Sequence, residues 1–77
     1  MTKREKQLQH LRDNPKNIRF EDIDTLLLGL GFIKRQRGTS HAVYTLGVHR
    51  ITVPHHKPFI KAVYVKMVLE VLDELEG

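Results

Sequence analysis

The residues in this chain whose types and spacing could do chemistry gather around one turn, Gly38-Thr39-Ser40-His41. Imidazole is the side chain whose ordinary pKa lets it both take and give a proton near neutral pH. Transesterification of an RNA phosphodiester needs both acts, because the 2′-hydroxyl loses a proton while the departing 5′-oxygen gains one. Lys34, Arg35 and Arg37 precede the turn, and cations there would offset the negative charge that builds on the phosphorus oxygens in the transition state. A second group, His55, His56 and Lys57, lies between Pro54 and Pro58, with Lys61 shortly after. It stands just ahead of an expected helix, where cations oppose the macrodipole and a bound anion would relieve the conflict. On the residues alone, His41 is either a proton-transfer group or an ordinary surface histidine. The His55 to Lys57 corner is either part of an RNA path or a solvated loop. Zinc held by His41, His55 and His56 is disfavoured, since no cysteine or nearby carboxylate would complete the site.

The charge distribution leads the same way. Thirteen Lys and Arg against nine Asp and Glu leave a formal charge of +4, which alone says little about partners. The acids stand at Glu5, Asp13, Glu21, Asp22 and Asp24 or beyond Val68, so Thr25 through Leu69 contains none. That interval holds Lys34, Arg35, Arg37, Arg50, Lys57, Lys61, Lys66 and four of the five histidines. It reads as a cationic patch without internal neutralisation, the kind of field a phosphate backbone follows.

Size sets the frame. Seventy-seven residues hold one core, so function belongs on the outside of a small fold and no cofactor is expected. The absence of cysteine excludes a disulfide framework and suits a reducing compartment. No apolar run approaches the roughly 20 residues that span a bilayer. The opening residues Met1 to Lys6 lead into no hydrophobic signal segment, so a cytoplasmic location is expected.

The elements that must position these residues follow from periodicity. Thr2-Lys3-Arg4-Glu5 has the form of a capping box, predicting a short helix to about Arg12 with only Leu8 and Leu11 on its apolar edge. Asp13 to Asn17 is a turn centred on Pro15, and the compact domain is expected to begin near Ile18, dividing the chain into 1–17 and 18–77. From Glu21, Ile23, Leu26, Leu27 and Leu30 recur at helical spacing, and Gly31 stops that helix before Phe32. Three strands are predicted at Phe32 to Arg37, His41 to Leu46 and Arg50 to Val53, as an antiparallel meander with a turn at Gly47-Val48-His49. On the middle strand the core face is either His41, Val43 and Thr45 or Ala42, Tyr44 and Leu46. Ala62, Val65, Val68, Leu69, Leu72 and Leu75 define a final amphipathic helix ending at Gly77. The sum is an α+β domain of helix, three-stranded antiparallel sheet and helix, with a short extra N-terminal helix and one sheet face left to solvent. The aromatic residues Phe20, Phe32, Tyr44, Phe59 and Tyr64 are read mainly as core, with Tyr44 the most open case.

Several pieces follow one another in order: Asn14-Pro15-Lys16-Asn17-Ile18-Arg19-Phe20, Leu26-Leu27 with Leu30-Gly31-Phe32, and Gly38-Thr39-Ser40-His41. Tyr44, Ile51-Thr52-Val53-Pro54, Tyr64-Val65-Lys66 and Val68-Leu69 come after them. With these pieces the chain, from Asn14 to Leu75, resembles the HicA (YcfA-like) family of toxin–antitoxin mRNA interferases. The family's commonest form sets Gly directly before Ser-His, whereas Thr39 intervenes here. The resemblance implies a double-stranded-RNA-binding-like fold and metal-independent cleavage of mRNA centred on His41. It also implies a HicB-type antitoxin, which would bring acidic side chains onto the basic face. Lys34, Arg35, Arg37, Ser40, His55, His56, Lys57 and Lys61 are the residues expected along the RNA path. A non-catalytic RNA-binding module or translational regulator built on the same basic face is the alternative.

Overall fold

The computed structural model describes residues 3–35, 41–55 and 58–76. Three helices and three strands follow in the order α1 (Lys3–Asp13), α2 (Phe20–Gly29), β1 (Ile33–Arg35), β2 (His41–Leu46), β3 (His49–Pro54) and α3 (Ala62–Glu76). This is the α+β arrangement expected, with β1-β2-β3 as an antiparallel meander.

Local chemistry sets the boundaries. A turn at Asn14 separates α1 from the next segment, with the Asn17 N–H donating to the Asn14 carbonyl at 3.0 Å. At the start of α2 the Asp22 carboxylate accepts from the Arg19 backbone N–H at 3.0 Å, supplying a partner at a helix end that would otherwise leave donors exposed. Gly31 follows the helix end with φ +102, a conformation that a Cβ would strain, and turns the chain so that Lys34 of β1 reaches Asp24 of α2. Gly47 supplies φ +59 at the first central position of a two-residue hairpin. The turn is therefore shorter than Gly47-Val48-His49, and His49 pairs with Leu46 as the first residue of β3. Pro54 closes β3, and β1 is described over Ile33–Arg35, with Phe32 outside it and residues 36 and 37 of the expected strand outside the described residues.

The core lies between one sheet face and the helices. Ala42, Tyr44, Ile51 and Val53 from the sheet pack with Ile23, Leu26 and Leu27 of α2 and Val65, Val68 and Leu72 of α3. This settles the face of β2: Ala42 and Tyr44 are fully buried, so His41, Val43 and Thr45 face away from the helices. Leu75, expected in the core, is 39% exposed. The packed core also begins earlier than Ile18, because Leu11 of α1 is 1% exposed. α1 is held further by an Arg4 guanidinium donating to the Gly29 carbonyl at 2.8 Å, a His10–Asp22 contact at 3.8 Å and an Arg12–Asp73 ion pair at 2.8 Å. Among the described residues no helix is long and apolar enough to cross a membrane.

Candidate functional site

The antiparallel meander brings the end of β1, the start of β2 and the end of β3 to one edge of the sheet. His41 opens β2 there, exposed, paired across the ladder with Pro54. Arg35 is opposite Val43, one diagonal step from His41 on the same open face. Arg50, opposite Thr45, and Thr52, opposite Val43, share that face and are exposed. None of the described strand residues is a carboxylate, and what the strands contribute to the open face is two guanidinium groups and an imidazole.

Lys34 points the other way. It pairs with Tyr44, whose side chain belongs to the core face, and its ammonium sits 2.8 Å from Asp24 Oδ1 of α2. The Tyr44 hydroxyl donates to the same oxygen at 2.6 Å. Burial would raise the Asp24 carboxyl, but the bonds from Lys34 and Tyr44 together with nearby positive charge from Lys34 and His55 hold it below its ordinary value. Burial and the adjacent carboxylate push the Tyr44 hydroxyl well up, so it remains a donor. The ammonium of Lys34 also lies 5.3 Å from the centroid of the Phe20 ring, and His55 meets the same ring edge-on at 4.3 Å. The cationic interval is thus neutralised at Lys34 by Asp24, an acid just outside it in sequence that the reversal at Gly31 brings across.

The residues expected along the RNA path therefore divide. His41 and Arg35 share the open face. Lys34 and His55 gather on the helix side of the sheet around Phe20 and Asp24. Lys61 is exposed immediately before α3, where its carbonyl accepts the N–H groups of Tyr64 and Val65. Arg37, Ser40, His56 and Lys57 lie outside the described residues.

Asp24, Phe20 and Arg50 are not among the residues expected along the RNA path, although Arg50 is counted in the cationic interval and Phe20 among the core aromatics. For Arg50 a signal existed: a two-residue turn at Gly47-Val48 fixes the register, and the register sets Arg50 on the face of His41. For Asp24 there was none, because its link to Lys34 and Tyr44 exists only after β1 folds back on α2. Comparison with protein-family models, with curated proteins and with solved structures returns no match.

Proposed function

We propose that this protein is a metal-independent endoribonuclease that cleaves mRNA, a toxin of the HicA type acting in the cytoplasm and restrained by a HicB-type antitoxin. The observation that carries the reading is the exposure of His41 on a sheet face that also presents Arg35 and Arg50, with no carboxylate among the described strand residues. An exposed imidazole on that face is placed where a phosphodiester can approach it. In the reaction His41 moves the proton of the attacking 2′-hydroxyl or of the departing 5′-oxygen. Arg35, the nearest described cation on that face, stabilises the charge gathering on the phosphorus oxygens.

The test is cleavage of labelled RNA in EDTA by the parent chain and by His41→Ala. Positioned acid–base catalysis is worth about 10² to 10⁴ in rate, so the variant should lose that much while its circular dichroism and RNA affinity hold. An RNA with a 2′-deoxy sugar at the cut site should resist the parent protein. RNA that binds yet stays intact with the parent protein would identify a non-catalytic binding module instead.

A further inference from the structure

The open face of the sheet has an unusual composition for an RNA surface. Its eight strand positions are Ile33, Arg35, His41, Val43, Thr45, Arg50, Thr52 and Pro54, which include no Phe, Tyr or Trp; the single ring that could stack a base is the His41 imidazole at the edge. The five Phe and Tyr rings sit off these strand positions: Tyr44 is fully buried, Phe20 and Phe32 belong to the core, Tyr64 packs against it from α3, and Phe59 is half-buried in the segment ahead of α3. Proteins that grip unpaired bases do so by stacking them on exposed rings, and each missing stack forfeits about tenfold in affinity. What this face does offer is charge and hydroxyls. Arg35 and Arg50 lie on the two outer strands, two strand spacings and one side-chain repeat apart, or about 12 Å on the diagonal. Val43 and Thr45 lie between them on β2, and Thr52 is beside Arg50 on β3, across Val43 from Arg35. Guanidinium groups spaced across a flat face suit two phosphate rows, and threonine hydroxyls suit the 2′-hydroxyls that the wide, shallow minor groove of an RNA helix displays. His41 is at the rim of this face, as the first residue of β2, rather than at its centre.

We propose that the substrate is a base-paired RNA stem seated on the open sheet face through its sugar–phosphate backbone, with the cut falling in unpaired nucleotides beside the stem, at His41. This rests on the ribonuclease reading for the cut but not for the binding. A stem holds its riboses in one helical conformation, whereas the 2′-hydroxyl must swing into line with the departing oxygen to attack. An unpaired junction allows that motion, and the rim position of His41 matches it.

Binding is measured by fluorescence anisotropy with His41→Ala, which keeps RNA intact, using an RNA stem–loop, an unstructured RNA of equal length and a DNA stem–loop of the same sequence. The RNA stem–loop should bind about tenfold or more tightly than the unstructured RNA, the deficit of at least one absent stack. The DNA stem–loop, lacking 2′-hydroxyls, should bind more weakly than the RNA one. Adding Arg35→Ala and Arg50→Ala should reduce the salt dependence of stem binding by about two in log–log slope. Equal or tighter binding of the unstructured RNA, or binding of neither, overturns the proposal. Mapping cuts by the parent protein separates the two readings. Stem preference with no cutting removes the nuclease and leaves the binding mode, while cutting spread evenly through unstructured RNA removes the stem and leaves the nuclease.

Discussion

Asp24 Oδ1 receives the Lys34 ammonium and the Tyr44 hydroxyl together, and this one oxygen decides what Lys34 is able to do. An ammonium already paired adds little to an anion's attraction, whereas Arg35 on the other face has its charge turned to solvent. Arg35→Ala should therefore lower the salt slope of RNA binding by about one, and Lys34→Ala should leave it nearly unchanged, as titrations at several salt concentrations will read. The same oxygen ties α2 to the sheet. Tyr44→Phe removes a hydrogen bond to a charged group, a change that costs about 1.5–3 kcal/mol and should appear as a lower urea midpoint. The pH dependence has a definite sign: Asp24 is held below its ordinary 3.8 in the folded protein, so its contribution is complete above that value. It is lost as the pH falls through the lower, folded value. Asp24→Asn should flatten the stability profile in that acid window, measured by urea midpoints from neutral pH downward.

The elements with strong periodicity were legible from sequence, and those held by a few long-range contacts were not. α2 and α3 announce themselves through repeated Leu, Ile and Val, and the meander through its turn residues. Ala42, Tyr44 and Leu46 are the more apolar set on β2, but the face stayed open because the Tyr44 hydroxyl needs a partner in the core, Asp24, that the sequence does not show. Only the register with β1 and β3 and the burial of Tyr44 decide it. The place of α1 was equally hidden, since Leu8 and Leu11 make a thin apolar edge whose partners lie on α2 and α3. Leu11→Ala opens a hole in that shared core and should cost about 2–5 kcal/mol in urea unfolding. Arg12→Ala, which breaks only an exposed ion pair with Asp73, should cost under about 1 kcal/mol. If both variants were equally mild, α1 would be an appendage and not part of the fold.

Across the whole molecule acids stand at both ends, and the two faces of the sheet divide the charge at one of them. There Arg35 and His41 take the open face, while the start of α2 with Glu21 and Asp22 lies on the helix side, where Phe20 touches His55 and the Ile60 N–H donates to the Ile18 carbonyl just ahead of α3. At the other end α3 finishes on Glu70, Asp73 and Glu74, with no acid in its first turn and no base in its last, the reverse of what its macrodipole favours. Arg12 and His49 offset part of this through Asp73 and Glu74. The molecule measures 36 × 29 × 19 Å, and its long dimensions exceed the screening distance of about 8 Å at physiological salt. The distant acids therefore do little to cancel the field around His41. The hairpin at Gly47-Val48 belongs to that far pole, with Val48 95% exposed and the space around Gly47 open. Because the chain has no cysteine, Val48→Cys would carry a single reactive thiol. A dye coupled to it should leave RNA affinity unchanged, giving a reporter, or a tether to a solid support, that holds the protein with its working end outward.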